Sequence, residues 1–281
     1  RLIMLPDNHF FFFDFTLDHT QIKAGTAFEP IPHDCEKALS PDTTNLCPYK
    51  IPDVKEIVKL VNQASHRVNP NKFLSDTFEC GAIAVSNQFD FPKAEQREER
   101  YKQIMHAYQP KERELMAEVF AKIYALLSSV VYDDGKFNDW LGELFMQTGI
   151  GNKHNGQFFT PYHISCLCAK VSIDESIVRQ KQRDNEIITI NDPTCGAGGM
   201  LVAALETLDR DYHFNYAHNC FIFAEDIDIR CVHMTYLQLS LAGVPAIVKH
   251  TNSLTRETWD VWKTPAFLMQ YMRFRQFEHY A

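Results

Sequence analysis

A short β-branched run that ends in Asp-Pro and then breaks into glycine constrains this chain more than any other stretch. Ile187, Ile188, Thr189 and Ile190 read as a buried strand of a parallel sheet, and NDPTCGAGGM, residues 191–200, follows at once. Beyond the glycines, Leu201, Ala204, Leu205 and Leu208 recur at the spacing of one helical face. Strand, glycine turn and helix, in that order, bring backbone close to a ligand at a helix N-terminus. The pattern then repeats. Phe221, Ile222 and Phe223 form a second apolar strand with acidic residues at its C-terminal end, and IRCVHMTYLQLSLAG is a helix with Gly243 as its C-cap. VPAIVKHTNSL supplies a third strand. The order β-α-β-α-β predicts a doubly wound α/β sheet with its ligand groups at the strand C-termini.

Ahead of about residue 156 the periodicity is helical. DVKEIVKLV places Val54, Ile57, Val58 and Val61 on one side of a helix. KAEQREERYKQIMHAY mixes both charge signs and predicts a helix with a solvated face. PKERELMAEVFAKIYALLSSVVY opens with Pro110 and an acidic first turn, and carries Leu115, Val119, Ile123, Leu126 and Val130 at helical spacing. FNDWLGELFMQ adds one short helix after the turn at Asp133–Gly135. Residues 1–50, with many prolines and polar residues, read as an irregular arm, 51–150 as a helical domain and 151–281 as the α/β domain.

Composition narrows the function classes. A net charge of -8 argues against a freestanding nonspecific DNA binder, though not against a subunit whose partner brings the basic surface. Eight cysteines without a CxxC pair fit a reduced, cytoplasmic protein, with Cys166 and Cys168 as packing residues rather than metal ligands. The apolar start RLIMLPDNHFFFFDF is interrupted by Asp7, Asn8, His9 and Asp14 well short of a membrane span, and has no small-residue cleavage site. The chain does not begin with Met, which fits a fragment of a longer protein. The histidines are scattered, and no Ser-His-Asp, HExxH or Cys-His metal constellation competes with the glycine loop.

The loop itself excludes two nucleotide classes. A dinucleotide fingerprint needs glycine where Leu201 stands, and a phosphate-binding P-loop needs Gly-Lys-Ser or Gly-Lys-Thr, which does not follow. What remains is the glycine turn together with Asp226 at the end of the second strand, where a carboxylate can accept both hydroxyls of a ribose. Gly196 and Gly198 let a non-phosphate tail approach the backbone. This combination predicts adenosine joined to something other than pyrophosphate, namely S-adenosylmethionine (SAM).

GQFFTP, residues 156–161, followed across one helix by DPTCGAGG, resembles the N6-adenine DNA methylase family, in particular the modification subunits of type I restriction systems. The likeness spans about residues 100–260 and implies a Rossmann-like, SAM-dependent methyltransferase sheet behind an N-terminal helical region. By position it implies that Gln157, Phe159 and Thr160 line the methionine end of SAM. Asp192, Thr194, Gly196 and Gly198 would form the loop beneath it, Asp226 would hold the ribose, Ile227 would pack on the adenine and Asn252 would face the adenine edge. It further implies methyl transfer to N6 of an adenine flipped out of DNA, and a specificity or completing subunit as partner.

One motif departs from that family. After its fourth strand the family carries Asn or Asp, Pro, Pro, then Phe or Tyr, which accepts the adenine amino protons and stacks on the base. WKTPAFLMQ stands at this point, so Thr264, Pro265 and Phe267 would be a degenerate catalytic motif in a sheet incomplete toward the C-terminus. Three readings follow: a divergent or truncated adenine methyltransferase, a non-catalytic SAM-binding or partner-binding relative, and an unrelated nucleotide-binding α/β domain.

Overall fold

The computed structural model describes residues 51–64, 67–132, 136–148 and 159–280. The predicted arm, residues 1–50, lies outside the described residues. Residues Ile51–Ala281 form one compact unit.

The helical half runs through α1 (Val54–Gln63), α2 (Pro70–Ser86), α3 (Phe91–His106), α4 (Pro110–Tyr132) and α5 (Trp140–Gln147). Their starts follow ordinary capping chemistry. Asp53 accepts from the Lys55 amide and Asn69 from the Asn71 amide, while Pro70 and Pro110 occupy helix positions where a missing N–H costs nothing. Val54, Ile57 and Val61 of α1 are buried, as their spacing predicts.

Next come α6 (Tyr162–Ser172) and α7 (Glu175–Asp184), then the alternating part: β1 (Ile188–Asp192), α8 (Gly199–Glu206), α9 (Tyr216–Asn219), β2 (Cys220–Asp226), α10 (Ile229–Leu241), β3 (Ala246–Asn252) and β4 (Glu257–Lys263). Two short helices, α11 (Pro265–Met269) and α12 (Tyr271–Phe274), follow. Among the described residues the sheet has the order β1-β2-β3-β4, with β1, β2 and β3 parallel and Asp226 in register with His250. The β-α-β-α-β expectation holds to that point.

Helix α10 is the centre of the molecule. Every residue from Cys231 to Ser240 is buried, the mark of a helix packed on all sides. It lies against β2 and β3 on one side and against α2, α4 and α5 on the other, so the helical half and the sheet share one core. On the sheet's opposite face Phe221, Ile247, Phe267 and Phe274 form a second apolar cluster beneath α11 and α12.

Two features go beyond what the sequence indicated. First, β4 is not a further parallel strand; it turns back and pairs antiparallel with β3. The connection from Asn252 to Glu257 is far too short for a crossover, which needs a dozen or more residues, so only a hairpin can form. Asn252 closes that hairpin by accepting from the Leu254 and Thr255 amides, and Arg256 takes the left-handed conformation at φ 64. Second, α3 is not solvated all round. Arg97 is 5% exposed, pairs with Asp90 at 3.0 Å, donates to the Val261 carbonyl and stacks over Trp262 at 3.9 Å. Arg97 thus fastens α3 to β4, and Lys93 adds an ion pair to Asp260 at 3.8 Å. Among the described residues no helix is long and apolar enough to cross a membrane.

Candidate cofactor-binding cleft

The loop after β1 is held from three directions. Its Asp192 carboxylate accepts from the Thr194 amide at 3.1 Å, and Gly196 (φ 56) and Gly198 (φ 94) take left-handed conformations that a side chain would strain. From β2, the Glu225 carbonyl accepts from the Cys195 amide and the Asp226 carboxylate from the Gly196 amide, both at 2.9 Å. From α10, Thr235 donates to the Gly196 carbonyl at 2.9 Å and Gln238 to the Ala197 carbonyl at 2.6 Å. Phe159 covers the loop from outside: a Cβ on Gly196 would lie 3.1 Å from its ring. Phe159 is itself braced edge-on by Phe145 of α5. Glycine is therefore required twice, for φ and for close approach.

Beside this loop a cleft of about 250 Å³ opens at the C-terminal ends of β1 and β2. It brings together six residues singled out in the sequence: Phe159, Thr160, Asp192, Thr194, Gly196 and Asp226. Gly198, Ile227 and Asn252 do not border it. Gly198 sits below, against Thr235, and Asn252 is engaged in the β3–β4 hairpin. Ile227 is 61% exposed beside Asp226, an uncovered apolar side chain next to the polar end of the cleft. Gln157 lies outside the described residues.

Thr264, Pro265 and Phe267 lie away from this cleft. The Thr264 hydroxyl donates to the Val244 carbonyl at 2.7 Å and accepts from the Ala246 amide at 2.9 Å, so it caps α11 at the start of β3. Ala246 pairs with Ile222, four residues before the Asp226–His250 pair, which is roughly 13 Å along the strands. Phe267 is fully buried in the aromatic cluster with Phe221. An antiparallel β4 delivers TPAF to the end of the sheet opposite the cleft.

The cleft also contains residues that the sequence pattern did not single out, among them Asp139, Cys195, Gly199 and Cys231. Asp139 caps α5 through the Gly142 amide and accepts from Gln238, both at 2.9 Å. The FNDWLGE stretch signalled a helix start there, but nothing local signalled the reach to Gln238.

Among the described residues the lining contains Asp139, Asp192 and Asp226 and no Lys, Arg or His. Burial raises all three carboxyl pKa values above the ordinary range. For Asp226 the Asp228 and Gly196 amides oppose that rise, and for Asp139 the Gln238 amide and the Gly142 N–H do so. Burial also keeps the Cys195 and Cys231 thiols protonated. A larger hollow of about 570 Å³ lies beside α9, lined by Asp209, Arg210 and His213. It opens at the N-terminal end of β2, whereas ligands of open α/β sheets sit at the strands' C-terminal ends, so the smaller cleft is the candidate site.

Residues 138–275 match the N-6 DNA Methylase family. The match begins beside Asp139 and so takes in α5 as well as the sheet, a different span from the one the motifs suggested. No curated protein matches the chain. Among solved structures, a Listeria monocytogenes protein assigned to the class I S-adenosylmethionine-dependent methyltransferases is similar at 14% identity and a TM-score of 0.43, over 72% of this chain and 54% of its own. The type I restriction-modification system methyltransferase subunit from Streptococcus thermophilus is similar at 20% identity and a TM-score of 0.37, over 75% of this chain and 42% of its own. The chain spans about half the length of these proteins.

Proposed function

Residues 138–275 belong to the N-6 DNA methylase family, and on that premise we propose that the cleft binds S-adenosylmethionine for methyl transfer to N6 of adenine in DNA. The observation that carries this reading is the convergence of Asp226, the glycine loop and the Phe159–Thr160 segment on one cleft. Each Asp226 oxygen accepts one backbone N–H, Oδ1 from Asp228 and Oδ2 from Gly196. A carboxylate has about four lone-pair sites, so each oxygen keeps one for a ribose hydroxyl. Exposed Ile227 gives the adenine an apolar surface beside that ribose position. The glycine loop presents bare backbone to the methionine tail, because a Cβ there would meet Phe159, Thr235 or Asp139. Asp192 and Thr194 border the tail from the end of β1, while Phe159 shields it from water. Three carboxyl groups and no cation among the described lining residues suit a ligand that carries an ammonium and a sulfonium. When bound, SAM supplies the activated methyl group.

A second reading is favoured by the burial of Thr264 and Phe267 at the far end of the sheet. On this reading the chain holds the cofactor, and the acceptor of the adenine amino protons comes from elsewhere, such as a completing subunit that also gives this acidic chain its hold on DNA. Titration calorimetry with SAM, S-adenosylhomocysteine and NAD tests the cofactor. Binding of SAM without NAD supports the proposal, and the reverse restores an unrelated nucleotide-binding domain. A labelled-methyl transfer assay on unmethylated DNA then separates the two readings. Robust incorporation by the chain alone would defeat the second.

A further inference from the structure

Asp139 stands out among the cleft residues because it comes from the helical half and only one of its oxygens is occupied. Its Oδ1 accepts from both the Gly142 amide and Gln238 Nε2, and Gln238 passes the same amide on to the Ala197 carbonyl. Among the described residues its Oδ2 makes no hydrogen bond, and it lies against the first residue of α8, where a Cβ on Gly199 would come within 2.7 Å of it. Asp139 is 5% exposed, and its remaining surface borders the cleft. Beside it the Gln238 Oε1 is buried without a hydrogen-bond partner. A buried carboxylate with a free oxygen and, among the described residues, no cation in the same lining is costly unless something positive arrives.

Resting on the SAM reading of the cleft, we infer that Asp139 is a further cofactor-binding residue, whose Oδ2 supplies the counter-charge for the sulfonium at the methionine end of the ligand. Its Oδ1 does a separate job. Through Gln238 it positions the Ala197 carbonyl, so the helical segment both completes the charge of the site and fixes the shape of the glycine loop. Asp226 serves the ribose from one side; Asp139 serves the tail from the other.

The two jobs separate in the variant Asp139→Asn. Asn keeps an acceptor for Gly142 and Gln238, and caps helices about as well as Asp, but it carries no charge and turns an amide toward the cleft. Calorimetric titration of the 281-residue chain and the variant with SAM and with S-adenosylhomocysteine, which lacks the sulfonium charge, reads the result. A hydrogen bond to a charged group corresponds to roughly tenfold or more in affinity. The expected result is SAM binding weakened about tenfold or more in the variant, the homologue weakened less, and an unchanged melting temperature of the free protein. If SAM binds the parent and variant alike, or both ligands weaken equally, the inference fails while the SAM reading stands. If the parent binds no SAM, both fall together. Should the variant melt early, Asp139→Ser, which keeps a cap oxygen, must still show the selective loss of SAM, or Asp139 is only a structural residue.

Discussion

Replacing Asp226 by Ala removes two kinds of bond at once, and their magnitudes differ. Within the protein, the Gly196 and Asp228 amides each lose a charged acceptor, at 2.9 and 2.8 Å respectively. A buried donor left unsatisfied costs about 1–3 kcal/mol. Here Asp226 is 9% exposed but borders an open cleft, so water can replace part of each bond and the lower end applies, about 2 kcal/mol for the pair. Release of burial strain on the carboxyl group, whose pKa is raised, offsets some of this. The free protein should therefore melt a few degrees lower yet stay folded, since about 1 kcal/mol moves the midpoint of a large domain by roughly 2–4 °C.

Binding should suffer more than stability. Two ribose hydroxyls lose a charged acceptor, and such bonds contribute about 1.5–3 kcal/mol each, so SAM affinity should fall on the order of a hundredfold or more. The loop amide at Gly196 is also released, which loosens the wall of the cleft. Scanning calorimetry of the free protein and titration with SAM separate the two effects. The refuting outcome is a lowered melting temperature with an unchanged SAM dissociation constant, which would make Asp226 a staple of the glycine loop and nothing more.

Three further outcomes follow from the same geometry. Phe267→Ala should destabilise the fold by about 3–5 kcal/mol in urea titration, because the ring is fully buried, yet leave SAM affinity nearly unchanged; a large selective loss of binding would return TPAF to the site. Arg97→Ala should cost about 3–5 kcal/mol by leaving Asp90 unpaired and Trp262 uncovered, again read by denaturant titration, and a change below about 1 kcal/mol would contradict the buried pairing. The raised pKa values of Asp139, Asp192 and Asp226 give pH slopes of opposite sign. Folded carboxyls with raised pKa values bind more protons than the unfolded chain, so their contribution to stability is present at low pH and is lost as pH rises from the ordinary value of 3.8 through their folded values. SAM, a cation, should bind more tightly over that same rise. Melting and titration across it check both, and parallel slopes would contradict the assignment.

The cofactor half of the site was legible because it depends on local chemistry. A β-branched run, glycines requiring positive φ and a helix at 3.6-residue spacing can hardly assemble otherwise, and each strand's last acidic residue then faces the same edge. Asp139 was not legible, since its partner Gln238 is 99 residues away and neither periodicity nor motif couples them. Arg97 was hidden in a helix whose charge pattern is otherwise that of a solvated surface; what distinguishes it is tertiary, the pairing with Asp90, the bond to the Val261 carbonyl and the stacked Trp262.

TPAF is the instructive case, because the information that relocates it was present in the chain. Motif order alone put Thr264, Pro265 and Phe267 at a catalytic edge, on the tacit assumption that the preceding strand runs parallel to β3. The interval between Asn252 and Glu257 forbids this: it admits a hairpin and no crossover helix. An antiparallel strand reverses the edge at which its end emerges, so Thr264 arrives beside Val244, and not beside Asp226. Once there, its hydroxyl is consumed by backbone groups and the Phe267 ring by Phe221. The same residues that read as a weakened catalytic motif are thus a sound N-cap and a core aromatic, and a substitution such as Thr264→Asn would weaken the cap contacts at the start of β3 without bringing any acceptor nearer the cleft.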